Sequence, residues 1–187
     1  MIAKTRDIRE NFLRHHSPDL DLKSNSNNSP HVVILGAGAS LRACPNGDRD
    51  ERKLPLMNNL VEIIGLDQIL ARYGIKYKRE NFEFLYGELS SNNEYSKITR
   101  EIEQAIEDYF RYLRLPNEIT IYDYLVLSLR KKDIIATFNW DPFLSQAFVR
   151  NMEIVGVENM PQIVHLHGNV AIGICEKVKV SGLDKRH

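Results

Sequence analysis

His31-Val32-Val33-Ile34-Leu35-Gly36-Ala37-Gly38-Ala39-Ser40 is the stretch on which the fold turns. A short aliphatic run, rich in β-branched residues and ended by glycine, reads as a strand buried on both faces. Gly36 can take backbone angles closed to other residues, and Gly38 lacks the Cβ that would hold a ligand's phosphates off the chain. A helix starting near Ser40 would offer free backbone N–H groups and a favourable dipole to a pyrophosphate. The dinucleotide fingerprint has a third glycine where Leu41 and Arg42 stand here. By itself the segment therefore reads equally as a nucleotide loop or as a glycine turn closing a core strand.

The composition narrows the setting. A chain of 187 residues has room for one domain with a proper core, with or without an insertion. Its 25 basic and 25 acidic residues cancel and are mixed along the sequence, which argues against a nucleic-acid footprint or a membrane-surface patch. Cys44 and Cys175 lie far apart with no CxxC pair, so there are no ligands for a zinc ribbon; two thiols in a reducing cytoplasm is the expected state, with a disulfide the alternative. No run approaches membrane-spanning length, and MIAKTRDIRENFLRHH lacks the apolar core and cleavage site of a signal peptide. The expectation is a soluble, cytoplasmic protein without metal.

Residues 1–30 read as a short helix over 4–16 followed by a Ser/Asn/Asp/Pro linker, and residues 31–187 as the folded domain. The charged stretch Arg42 to Arg52 is expected as a solvated surface loop, with a lid over a ligand as the alternative. Apolar periodicity predicts helices over 57–73, with a break at Gly65, and over 81–89, 94–115 and 120–130. Residues 54–131 thus form a largely helical block whose aromatics belong to the core. Asp133 to Phe138 is the next strand signal and ends in Asn139-Trp140-Asp141-Pro142, where Asp141 suits an N-cap and Pro142 the first turn of a helix to about Arg150. A third strand, Gln162 to Leu166, runs into His167-Gly168-Asn169. In open parallel α/β sheets ligands lie beyond the carboxyl ends of the strands, so three sequence-distant clusters can meet at one crevice.

GAGAS at 36–40, TFNWD at 137–141 and HLHG at 165–168, in that order, resemble the sirtuin superfamily, whose members carry GAGxS, a TxNxD strand end and a catalytic HG. The resemblance spans residues 31 to about 170. It is closer to the bacterial sirtuin-like domains of antiphage defence proteins than to the protein deacylases, because neither the four-cysteine zinc ribbon nor a GxPDFR-type loop is present. The resemblance implies a Rossmann-like parallel sheet flanked by helices, with a helical insertion between the first two strands. It also implies an NAD+ glycohydrolase (NADase) that releases nicotinamide and ADP-ribose and depletes the cofactor pool of an infected cell.

By motif position, Ala37, Gly38 and Ser40, with Ala39 in the same loop, would hold the NAD phosphates, and Gly36 would set the turn. An ordinary helix N-cap is the other reading of Ser40. Asn139 would lie beside the nicotinamide ribose and orient the water or the ribose hydroxyls; otherwise it is a turn residue. His167 would be the general base or the partner of a ribose hydroxyl. His165, two residues earlier, points to the same face if the strand continues, and reads as a hydrogen-bonded core residue. Asp141 would bind the ribose or stabilise positive charge as the glycosidic bond breaks, and Thr137 would shape the strand end.

About twenty residues follow Gly168, with one further strand signal over 170–175. The expectation is therefore that the C-terminal part of the sheet is missing: either the chain is a truncated or separately encoded part of a larger protein, or a partner subunit or a second copy completes the pocket. Two other functions stay open: a catalytically weak NAD or ADP-ribose-binding regulatory or scaffold subunit, and an NAD-dependent lysine deacylase.

Overall fold

The computed structural model describes residues 29–77, 81–170, 172–175 and 180–183. The helix expected over 4–16 and most of the linker after it lie outside these residues. The chain divides into two compact units: one holds the segments up to Pro45 and from Arg114 onward, the other is Asn46–Leu113.

The first unit is α/β. Strand β1 (Val32–Leu35) leads into helix α1 (Ala37–Ala43). Strand β2 (Ile134–Thr137) leads into the long helix α7 (Phe143–Val155), and β3 (Gln162–His165) follows. The three strands form a parallel sheet in the order β1-β2-β3, and Leu35, Thr137 and His165 are aligned at its carboxyl end. At the other end Asp133, 1% exposed, accepts hydrogen bonds from the His31 and Arg130 backbone N–H groups at 2.9 and 2.8 Å. That carboxylate fixes where β1 and β2 begin. Helix α6 (Ile121–Ser128), also in this unit, packs on α7. A separate antiparallel pair, β4 (Ile172–Cys175) and β5 (Val180–Leu183), aligns Ile172 with Leu183.

One expectation about β1 fails. The strand lies at the sheet edge, and only one face is covered: Val32 and Ile34 are 63% and 68% exposed, whereas Ile135 on central β2 is fully buried. Strand residues alternate between faces, so Val32, Ile34 and Val164 share the open face, and Ile135 and Thr137 share the covered one.

The contact between α6 and α7 is organised by a buried carboxylate. Thr120 begins α6 with a capping box in which Asp123 accepts from both the Thr120 N–H and its hydroxyl, at 2.7 and 2.8 Å. The same carboxylate takes Arg150 Nη2 at 2.5 Å and Asn151 Nδ2 at 2.7 Å from α7. Burial works to raise its pKa, but the Arg150 and Thr120 hydrogen bonds outweigh it and hold Asp123 below the usual carboxylate range.

The second unit is helical: α2 (Leu60–Ile64), α3 (Leu66–Arg72), α4 (Phe82–Ser90) and α5 (Ser96–Arg111). Gly65, with φ of 80°, ends α2 in the left-handed region and separates it from α3, so the break expected there is present. Helix α5 buries Ile98, Ile102 and Phe110 as its periodicity requires. The charged stretch before α2 is built around Asp48, which is 5% exposed and accepts from the Asp50 and Arg52 backbone N–H groups at 2.9 and 2.8 Å. The compact helical unit is thus narrower than the block 54–131, since α6 belongs with the sheet. Among the described residues, no helix is long and apolar enough to cross a membrane.

Two stability tests follow from this burial. Ile135→Ala is expected to cost about 2–5 kcal/mol, and Ile34→Ala within about 0.5 kcal/mol, in urea unfolding; equal costs would contradict the one-sided sheet. Asp123→Ala, which strands Arg150 and Asn151, is expected to cost about 3–5 kcal/mol. A loss below about 1 kcal/mol would show that the α6–α7 contact does not depend on that carboxylate.

Candidate functional site

The parallel register sets the ends of β1, β2 and β3 side by side, and the next residues of each strand form the candidate site. After β1 the chain enters α1 at once, with Gly36 as N-cap and the Ala39 N–H donating to the Gly36 carbonyl at 2.9 Å. Gly36, Ala37 and Gly38 are exposed, Ala39 is half-buried and Ser40 is buried.

Two expectations need correction here. Gly36 has φ of −125°, extended backbone open to any residue, so the turn does not require glycine's freedom. A Cβ on Gly36 or Gly38 would meet no protein atom within 4 Å, so what these glycines leave is clear space beside an exposed backbone. Ser40 is also not an N-cap: the helix starts at Ala37, which places Ser40 one turn inside with its hydroxyl turned into the protein.

That hydroxyl is the centre of a buried polar cluster. Ser40 Oγ donates to Asp141 Oδ2 at 2.6 Å and lies 2.7 Å from the Tyr122 hydroxyl. Asn139 Nδ2 donates to Ser40 Oγ at 2.9 Å, to the Gly36 carbonyl at 3.1 Å and to Tyr122 Oη at 3.2 Å. Thr137 Oγ1 accepts from the Asn139 N–H at 3.1 Å, closing the bend that follows β2. The first glycine motif and the TFNWD motif are thus joined through side chains about a hundred residues apart in sequence.

Asp141 serves two segments. Its Oδ1 accepts from the Phe143 N–H at 3.3 Å while Oδ2 holds Ser40, but the N-cap of α7 is Pro142, one residue later than expected, and Asp141 stands just outside the helix. The helix runs on to Val155, past the expected end near Arg150. Burial pushes the Asp141 carboxyl up to about 6, only partly offset by hydrogen bonds from Ser40 and Phe143. Burial, reinforced by the neighbouring Asp141, pushes the Tyr122 phenol above its ordinary value, so it stays protonated.

The HG segment is placed differently. Strand β3 ends at His165, and alternation does not carry through to His167. His165 is half-buried, with Nε2 3.4 Å from Ser145 Oγ, and burial lowers its pKa. Its Nδ1 is buried and has no hydrogen-bond partner, so the core reading of His165 is only half satisfied. His167 is exposed, its ring edge-on to Phe138 with centroids 5.0 Å apart. Gly168, at φ of 78°, turns the chain, and Asn169 Nδ2 donates to the backbone carbonyls of Asp141 and Asn139 at 2.6 and 3.4 Å. The segment is therefore anchored to the 139–141 bend through Asn169, with His167 outside the buried cluster.

Tyr122 is the residue that reading the sequence misses. It counts as one apolar position of a helical stripe, yet a tyrosine on the fully buried face of a helix must find a partner for its hydroxyl, and that need was the available signal. Among the described residues, no group of His, Cys, Asp and Glu gathers to hold a metal. Cavities of about 510 and 590 Å³ lie within the helical unit, the former between Ile75, Phe84, Leu89 and Tyr95; neither includes a residue of the three motifs. No family model matches the chain, and no curated protein matches it.

A charged Asp141 is penalised in the folded state, so its contribution to stability falls as pH rises from about 4, the unfolded carboxylate value, through about 6. Urea midpoints of wild type and Asp141→Asn across this range should therefore diverge, wild type losing more stability toward neutral pH. Parallel profiles would show that Asp141 does not titrate there.

Proposed function

We propose that the chain is an NAD+ glycohydrolase of sirtuin-like type, cleaving NAD to nicotinamide and ADP-ribose as an antiphage effector. The observation that carries this reading is the bond from Asn139 to Ser40 and Gly36, which couples the glycine loop to the TxNxD bend at aligned strand ends. Carboxyl ends of parallel strands are where α/β sheets take nucleotides. The exposed Gly36–Gly38 backbone beside clear space suits close approach of phosphates.

The reaction asks for little acid catalysis. As the bond from ribose C1′ to the pyridinium nitrogen breaks, its electron pair neutralises the ring and nicotinamide leaves uncharged. A water oxygen then bonds to C1′ and releases its proton to a base or to solvent. The protein has to position the ribose, stabilise the cationic sugar and align the water. Asn139 is the residue for alignment, and the Asp141 carboxylate supplies negative charge behind it. His167 is proposed as the proton acceptor; its exposed position requires the substrate to reach it at the Phe138 side.

That exposure also favours a second reading, a regulatory subunit that binds NAD or ADP-ribose and turns it over weakly, since the histidine is exposed and meets the Phe138 ring edge-on. Nicotinamide release from NAD by the purified chain separates the two. Steady turnover that falls about 100-fold in Asn139→Ala, with an unchanged far-UV spectrum, is the expected result. ADP-ribose binding without turnover would favour the regulatory reading, and neither binding nor turnover would overturn both.

A further inference from the structure

The direction of each hydrogen bond in the buried cluster can be assigned by counting donors. The Gly36 carbonyl can only accept, which fixes the Asn139 amide with its nitrogen inward and one N–H on that oxygen. The second N–H is shared between Ser40 Oγ and Tyr122 Oη. Ser40 gives its single proton to Asp141, so the Tyr122 hydroxyl, 2.7 Å away, must donate to Ser40 Oγ. Every proton in the set is then used: one Asn139 N–H goes to the Gly36 carbonyl, and the others run through Ser40 Oγ and Tyr122 Oη toward the Asp141 carboxylate. Asn139 Oδ1 is left over: among the described residues no donor reaches it, and it is not among the buried orphaned atoms.

We infer that Tyr122 is a positioning residue that locks the Asn139 amide nitrogen inward and so presents Asn139 Oδ1 as an acceptor for an O–H donor of the bound substrate. Without the phenol, Ser40 Oγ loses one of its donors and the second Asn139 N–H loses one of its two acceptors, so the amide turns more freely. The catalytic consequence rests on the NAD-cleaving reading; the locking itself does not. Tyr122 touches no substrate in this scheme, since its hydroxyl is enclosed by Ser40 and Asn139. Its effect should appear in turnover rather than in affinity.

The test uses the full chain as wild type, Tyr122→Phe, Asn139→Ala and the double variant, with two readouts. In nicotinamide release, Tyr122→Phe should lower kcat tenfold or more with KM within threefold, and the double variant should be no slower than Asn139→Ala. A kcat within twofold of wild type, or losses that multiply in the double variant, would overturn the inference. The second readout is independent of activity: solvent exchange of the Asn139 side-chain amide protons, followed by ¹⁵N NMR. They should be protected in wild type and exchange at least tenfold faster in Tyr122→Phe. Unprotected protons in wild type, a measurement that needs no variant to fold, would overturn the inference. Should wild type cleave no NAD, the functional reading fails and the exchange rates alone decide the role of Tyr122.

Discussion

The hydrogen bond from Ser40 Oγ to Asp141 Oδ2, 2.6 Å long and shielded from solvent, is the constraint on which the sheet end depends. A hydroxyl and a carboxylate at such depth are costly unless each finds partners. Here each does, and the partners come from four places in the chain: the glycine loop, helix α6, the bend after β2 and the start of α7. A fully satisfied buried network tolerates few alternative packings, which gives the strand ends a single arrangement. The carboxyl of Asp141 is nevertheless held in an environment that disfavours its charge.

The same logic recurs at the opposite end of the sheet and along α6. Asp133 collects the backbone donors that begin β1 and β2, and Asp123 collects Thr120, Arg150 and Asn151. Three buried aspartates thus tie together both ends of the three described parallel strands and the α6–α7 contact. Asp123 and Asp133 are held below the usual carboxylate range while Asp141 is raised. The contrast follows from the balance of burial and donors: N–H groups and an arginine outweigh burial at the first two, whereas the Ser40 hydroxyl and backbone N–H groups at the third do not.

The parallel strands, β4 and most of the helices were legible in the sequence because each rests on local signals: β-branched runs closed by glycine or asparagine, and apolar positions at helical spacing; β5 (Val180–Leu183) was not. Gly65 and the Asp141-Pro142 pair marked their turns for the same reason. What could not be read was burial that depends on distant neighbours. Val32 and Ile34 look like a core strand, and only strand order shows that β1 is an edge. Ser40 looks like a cap, and only the start of α1 at Ala37 turns its hydroxyl inward. Tyr122 looks like core and is core, but its hydroxyl joins two motifs that no spacing rule connects. His165 and His167 would share a face if the strand continued, but it stops at His165.

The most direct measurement is an NAD titration of the ¹⁵N-labelled chain, reading which backbone amides shift. Perturbations centred on Gly36–Ser40 and Thr137–Asp141, saturating with NAD, are the predicted result. Saturable shifts confined to the helical unit around Ile75, Leu89 and Tyr95, or no shifts at millimolar NAD in a folded sample, would contradict a nucleotide site at the strand ends.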